Sequence, residues 1–313
     1  MEAYTGFAQV YDIFMDATPY EEWCENIVMI LEKYRQPGGT DAAGHSAGVA
    51  CCGAAHETRE SGVGNNYSIE NDDNVIKQNL YQEHNTILDL GCGTGTLTQL
   101  LAGRGYDMIG IDNAQEMLQI AMEKRDASGF DILYLLQDMR EFELYGTVGA
   151  VVCVCDSINY LLEEKEIVQT FRLVNNYLFP GGVFLFDFNT VYKYETILGD
   201  TTIAENREDC SFIWDNYYHE AEEINEYDLT IFVKANAGNT GDTAVTGADR
   251  KQEEGGSYQK FHETHYQRGY RLEQMLDFLE RAGMVFLEAV DADTQEAVSD
   301  VSERIYVAAR KGD

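Results

Sequence analysis

The stretch from Thr86 to Asp112 restricts the possible folds of this chain more than any other. It opens Thr86-Ile87-Leu88-Asp89-Leu90-Gly91-Cys92-Gly93-Thr94-Gly95-Thr96-Leu97 and closes Met108-Ile109-Gly110-Ile111-Asp112. The short apolar run Ile87, Leu88, Leu90 predicts a buried strand. The glycines predict the turn after it. Leu97, Leu100 and Leu101 fall at i, i+3 and i+4, the stripe of a helix packing back on a sheet. A second apolar strand then ends in an acid, about 20 residues past the glycines. Strand, glycine turn, helix, strand and acid together form a nucleoside-binding α/β unit, with Asp112 placed to read a ribose.

The glycine spacing narrows the ligand. A dinucleotide site needs G-x-G-x-x-G, whose turn and helix start cradle a pyrophosphate. Here Thr96 occupies the place of the last glycine, and the third glycine comes one residue early, at Gly95. A nicotinamide-linked oxidoreductase is therefore disfavoured.

Farther along, the apolar runs at 132–136, 150–155 and 183–188 alternate with helical patterns, which argues a parallel, doubly wound sheet. Met284 to Val290 and Ile305 to Ala308 complete it. The predicted fold is α/β, a doubly wound, seven-stranded, mostly parallel sheet formed by residues 1–190 and 269–313. Residues 191–268 break the alternation and carry strand-like segments at 211–214, 228–233 and 258–266. They predict an inserted antiparallel β cap over the strand ends. Residues 38–66 read as a flexible insertion, and 236–257 as a second, polar one. The first insertion holds His45, Cys51, Cys52 and His56, but adjacent cysteines fit zinc-ligand spacing poorly, so no metal site is expected. Before it, Phe7, Val10, Tyr11 and Phe14 predict an aromatic-striped helix, and Trp23, Ile27, Ile30 and Leu31 a second.

Composition enters as a filter. With 313 residues, 44% of them hydrophobic, the chain can bury a full core. No apolar run is long enough for a membrane span, and the first residues are unlike a signal peptide. Seven cysteines, several in predicted core strands and turns, suggest reduced thiols and a cytoplasmic location. A net charge of −33 would repel a phosphate backbone, so a nucleic-acid substrate is disfavoured.

These motifs carry a resemblance. Leu88 to Gly95, Gly110-Ile111-Asp112, Gln137-Asp138-Met139 and Leu178-Phe179-Pro180-Gly181-Gly182 resemble the class I S-adenosylmethionine-dependent methyltransferases over residues 84–190 and 269–310. Tyr4-Thr5-Gly6-Phe7-Ala8-Gln9-Val10-Tyr11-Asp12 and Cys155 to Tyr160 are similar to a bacterial subfamily with presumed small-molecule substrates. The two insertions depart from its pattern. The resemblance implies a Rossmann-like core and S-adenosyl-L-methionine as cofactor. It implies that Asp112, with Asn113 beside it, holds the ribose diol and that Asp138 takes the adenine amino group. Met139, Met117 and Leu118 would face the adenine ring. Asp89 and the turn of Gly91, Cys92, Gly93 and Gly95 would face the methionyl end, and Asp156 would lie near the sulfonium. Tyr4, Tyr11 and Trp23 would close the pocket, aromatic faces being favourable beside a sulfonium.

A hydroxyl acceptor would need a base, for which Tyr160, His219, His262 and His265 are candidates. His262 and His265 differ by an odd number on a predicted strand and so face opposite sides. His265 is favoured, with Arg268 as a carboxylate anchor and Asp156 and Tyr160 completing the catalytic set. The expected acceptor is a small molecule, and the expected assembly a monomer or homodimer. A tRNA or rRNA methyltransferase and a non-catalytic cofactor-binding protein are the alternatives.

Overall fold

A computed structural model describes residues 7–34, 82–235 and 257–312. The core begins with α1 (Ala8–Phe14), α2 (Tyr20–Tyr34), β1 (Thr86–Leu90), α3 (Thr96–Gly103), β2 (Asp107–Asp112) and α4 (Gln115–Ser128). It continues through β3 (Ile132–Leu136), β4 (Val148–Cys153), α5 (Glu164–Tyr177) and β5 (Leu178–Asn189). Four strands follow: β6 (Thr202–Asn206), β7 (Cys210–His219), β8 (Ile224–Lys234) and β9 (Tyr258–Arg268). The chain then returns to the core with α6 (Leu272–Arg281), β10 (Val285–Asp291) and β11 (Arg304–Arg310).

Seven strands form one sheet in the order β3-β2-β1-β4-β5-β11-β10. β1 to β5 run parallel, whereas β11 and β10 are antiparallel to their neighbours. The strand β5 shows how both faces are covered. Phe184 and Phe186 join Phe171 of α5 and Phe278 of α6 in one cluster. The alternate residues Val183 and Leu185 join Ile27 and Leu31 of α2 with Leu97 and Leu101 of α3. Successive strand residues point to opposite faces, so the two clusters lie on opposite sides of the sheet. Central strands buried on both faces read as continuous apolar runs, which is why β1 and β4 are legible in the sequence. The order reverses between β1 and β4, and a crevice opens there at the carboxyl ends of the strands.

β6 to β9 form a separate four-stranded sheet, antiparallel throughout. Its first strand, β6, has no expected counterpart: Thr-Ile-Ala-Glu-Asn is short, polar and at the sheet edge. The inner face of this cap presents Phe212, Leu229 and Ile231, which pack on Phe7, Val10 and Phe14 of the first helical segment. On its other side Ala8 and Tyr11 pack on Ala114 and Met117. Thus α1 is wedged between cap and core rather than lying on the core alone.

Some expectations fall outside the described residues: Tyr4, the 38–66 insertion with its histidines and cysteines, and the polar stretch from 236 to 256. Among the described residues, no helix is long and apolar enough to cross a membrane.

Gly95 starts α3 in a left-handed conformation, φ +73°, which an L side chain rarely adopts. A Cβ there would also collide with Tyr134 Oη and sit 3.0 Å from Ala121 Cβ. Gly105 has φ +93° but open space where a Cβ would go. We therefore expect Gly95→Ala to cost about 1–3 kcal/mol more than Gly105→Ala in urea unfolding, the difference being overpacking rather than backbone strain. Equal losses would remove the close α3–α4–β3 contact as the reason for glycine.

Candidate active site

The turn after β1 is built from backbone. Gly91 N–H and Cys92 N–H both donate to the Ile111 carbonyl, at 2.8 and 2.9 Å, tying the end of β1 to the end of β2. One residue on, the Asp112 carboxylate accepts from Gly93 N–H through Oδ2 and from Ala114 N–H through Oδ1, each at 2.8 Å. The second contact makes Asp112 the group that leads into α4. Ala114 is the residue preceding the helix. Burial pushes the Asp112 carboxyl up from its ordinary range, and these backbone donors oppose the shift. Asp89, in the middle of β1, is buried with a single short hydrogen bond from Thr98 Oγ1, at 2.6 Å. Desolvation pushes its carboxyl up to about 7.

A cavity of about 320 Å³ opens over this turn. Asp89, Gly91, Cys92, Gly93, Asp112 and Asn113 line it. Met117, Asp138, Met139 and Arg140 form a second part of the wall. A third part, Tyr11 and Tyr20, comes from the N-terminal helices. Ser157, Tyr160 and Leu161 after β4, and Thr264, His265 and Tyr266 on β9, complete the lining. Core and cap therefore enclose one continuous space. Asp138 is gripped by Arg140, whose Nε and Nη2 donate at 2.9 and 2.6 Å. That guanidinium holds the Asp138 carboxyl below its usual range.

The N-terminal helix is latched to the turn. Asp12 accepts from Thr94 Oγ1 at 2.7 Å and pairs with Lys124 Nζ of α4 at 2.7 Å. Lys124 also donates to Thr96 Oγ1 at 2.8 Å. This Lys–Asp–Thr cluster keeps α1 and its Tyr11 over the cavity, and Tyr20 follows at the start of α2.

Several expected site residues are positioned otherwise. Gly95 does not line the cavity; it serves the α3–α4–β3 packing described above. Trp23 turns into the core beneath the sheet, where the Arg304 guanidinium lies 5.2 Å from its ring. Its neighbour Tyr20, one helical turn back, reaches the cavity instead. Leu118 is likewise core, not wall. Arg268 donates to the Leu162 carbonyl and lies 3.9 Å from Glu223, away from the cavity. Arg268 is an odd number of residues from His265, as His262 is, and so lies on the other side of β9; Thr264 and Tyr266 on that side still reach the cavity, but the Arg268 guanidinium is drawn off by Leu162 and Glu223. The residues that share the His265 face are Glu263 and Gln267, which a consistent count by twos would have found.

Asp156 is also withdrawn from the cavity. Gln267 Nε2 donates to its Oδ2 at 2.5 Å, and Arg304 Nη2 lies 3.8 Å from its Oδ1. Its backbone explains the placement. Cys155 and Asp156 both take left-handed conformations, φ 63° and 54°, which are strained for residues with a Cβ. Their two N–H groups are captured by the buried Asp187 carboxylate at 3.0 and 2.8 Å. Arg304 balances that charge from 3.8 Å. The bend this creates turns Ser157 and Tyr160 into the cavity and the Asp156 carboxylate out of it.

The fit of the implied cofactor can be judged from these atoms. Asp89, buried, and Asp112, half-buried, face the cavity without an ion-pair partner among the described residues. An ammonium and a ribose diol would give them partners. The turn offers no nest of free N–H groups for a pyrophosphate, because Gly91, Cys92 and Gly93 already donate within the protein. The donor set suits S-adenosylmethionine.

Comparison with known proteins agrees. A family profile described as "Methyltransferase domain" matches residues 87–182. The protein named "Putative methyltransferase YqeM" from Bacillus subtilis (strain 168) is 31% identical, covering 98% of this chain and 97% of that one. A Geobacillus sp. (strain WCH70) protein, also described as a "Putative methyltransferase", is 30% identical over 98% of this chain and 99% of its own. The crystal structure of an S-adenosylmethionine-dependent methyltransferase from Clostridium acetobutylicum ATCC 824 superposes with a TM-score of 0.63 at 26% identity. It covers 77% of this chain and 90% of that one. The chain belongs to the class I S-adenosylmethionine-dependent methyltransferases.

Proposed function

We propose that the chain methylates a small molecule enclosed between core and cap. One observation carries this reading: Tyr160 of the core and His265 of the cap line the same cavity as the Asp112 turn. An acceptor there is roofed by β9 and by the aromatic side chains of Tyr11 and Tyr20, a space suited to a compact molecule rather than a polymer strand. The strongly acidic surface is consistent with this.

The cofactor roles follow from the lining. Asp112 has lone pairs left for the ribose hydroxyls after its two backbone bonds, and Asn113 lies beside it. Met117 and Met139 offer soft apolar contact to the adenine, with Asp138 at its amino edge. Asp89 and the turn from Gly91 to Gly93 receive the methionyl end. Tyr11 and Tyr20 present aromatic rings to the positive sulfur. When bound, the cofactor supplies a methyl group on a sulfonium leaving group. The protein then contributes alignment and the exclusion of water.

Three outcomes test this. Tritium from methyl-labelled S-adenosylmethionine should enter a protein-free metabolite extract and not tRNA or rRNA; label confined to RNA refutes the small-molecule reading. Asp112→Ala should weaken S-adenosylhomocysteine binding in calorimetry by about tenfold to a hundredfold, since a charge-assisted hydrogen bond contributes about 1.5–3 kcal/mol. Parent-like affinity would strip Asp112 of its role. Finally, an ammonium binds the ionised form of Asp89, whose raised value must fall on binding, releasing a proton. Affinity for S-adenosylhomocysteine should therefore decline as pH drops below about 7, where Asp89 is protonated in the free protein, by up to about tenfold per pH unit. It should level off above that point. Asp89→Asn should flatten the profile; a parent already flat between pH 5 and 7 contradicts the assignment.

A further inference from the structure

His265 is almost wholly buried, with Glu263 beside it. Both side chains lie on one face of β9, two residues apart. Glu263 Oε1 accepts the Phe7 N–H at 3.1 Å, and its Oε2 is 3.3 Å from His265 Nε2. A carboxylate oxygen can only accept, so Nε2 carries the imidazole proton and Nδ1 keeps its lone pair. Tyr160 Oη lies 3.2 Å from that Nδ1, on the cavity side. The Tyr227 hydroxyl is 2.7 Å from Tyr160 Oη. With the Tyr160 proton directed at that Nδ1, Tyr160 Oη is left to accept from the Tyr227 hydroxyl, whose proton burial holds. Tyr160 in turn donates to His265. The Tyr227 ring also stacks on the imidazole, 4.9 Å between centroids and 9° from parallel. That face favours a positive charge on the ring.

The cavity wall around this pair is electrically neutral. Tyr160, Leu161, Leu162, Thr264, His265 and Tyr266 bring no carboxylate, guanidinium or ammonium among the described residues. Among the described residues these side chains offer an ammonium or a carboxylate no counter-ion, and desolvating either without one is costly. A neutral acceptor with an apolar body fits. If it is neutral, its lone pair becomes a good nucleophile only as a proton leaves, and a base must stand ready.

We propose that Tyr160 and His265 form a proton relay for a neutral, hydroxyl-bearing acceptor, with Glu263 as the positioning residue that fixes the imidazole tautomer. This rests on the small-molecule reading above. The acceptor O–H passes its proton to Tyr160 Oη as Tyr160 passes its own to His265 Nδ1. The acceptor oxygen bonds the methyl carbon while the carbon–sulfur bond breaks, its electron pair staying on sulfur. The positive charge that began on sulfur ends on the imidazolium, held between the Glu263 carboxylate and the Tyr227 ring.

Two measurements test the relay and its substrate class. Long-range proton–nitrogen NMR of the labelled parent protein should find His265 in the Nε2–H tautomer near neutral pH, and Glu263→Gln should redistribute it. An Nδ1–H tautomer in the parent, or one indifferent to Glu263→Gln, overturns the relay whether or not any substrate is in hand. In the metabolite extract, tritiated methyl should appear in a product that passes a cation exchanger and survives mild alkali, as an ether does. Retention as an amine, or alkaline release of methanol from an ester, overturns the hydroxyl assignment. On that product's precursor, Tyr160→Phe and His265→Ala should each lower kcat by about 10²–10⁴-fold with S-adenosylhomocysteine affinity kept. An unchanged kcat refutes the relay. Label found only in macromolecules, or none at all beside intact S-adenosylhomocysteine binding, instead refutes the small-molecule reading, and the tautomer still decides the relay.

Discussion

The Ile111 carbonyl is the hinge of this molecule. By accepting from both Gly91 and Cys92, it forces the chain leaving β1 to bend across the end of β2. The next residue, Asp112, then closes the bend from the other side by holding Gly93 and Ala114. A parallel strand pair normally ends with its last N–H groups directed along the ladder. Here they are diverted into a small ring that leaves carboxylate lone pairs, not amides, facing the crevice. That choice decides the ligand: a ring with satisfied amides and buried acids suits a diol and an amine and repels phosphate.

Beside the apolar packing of the cap on α1, the end of β9 is fixed to this site by polar contacts. Asn159 donates through Nδ2 to the carbonyls of Asn189 and Arg268, at 2.9 and 2.7 Å, and accepts the Asn189 N–H. One side chain thus pins the end of β5 to the end of β9. Beside it, Gln267 reaches Asp156, and Asp156 faces the buried Asp187–Arg304 pair. Removing one member of such a network strands a buried charge, so the network works as an alignment device. It sets the height of β9 above the cavity and hence the distance from His265 to Tyr160.

The glycines, the acids of β1 and β2 and the seven-stranded sheet were legible in the sequence because each depends on local pattern: turn residues, apolar runs, spacing to an acid. Trp23 and Asp156 were misread because their surroundings are made by distant chain. Trp23 sits at a position that a helical stripe assigns correctly to the buried face; only the arrival of β11 with Arg304 decides that this face is core. Asp156 looks like a free strand-end acid until Asp187 seizes its backbone and Gln267 its side chain. Strand β6 gave little signal because an edge strand with no fully buried residue and polar residues at its ends reads like a loop. Arg268 is a different kind of miss. Its sidedness was available from counting by twos, and nearness in sequence was taken for nearness in space.

That parity has a wider consequence for β9. Its buried positions are Glu263, His265 and Gln267, a polar triplet on the face where a strand of a cap would ordinarily bury apolar residues. Each finds its own partner: Glu263 the N–H of Phe7 at the start of the N-terminal helix, His265 Tyr160 in the turn after β4, and Gln267 both Asp156 and Tyr194. A one-residue slip of β9 against β8 would turn all three to the outside and bring His262, Thr264 and Tyr266 to face the core, none spaced to meet these partners. The hydrogen-bonded register from Ile224–Arg268 to Lys234–Tyr258 is therefore held at one end by three separate polar contacts as well as by the ladder. Buried polar residues that specify register at some expense in stability are a known use of such groups. Of the three, His265 lines the cavity while Glu263 and Gln267 are held behind it, so the contacts that fix the register of β9 also fix where His265 stands.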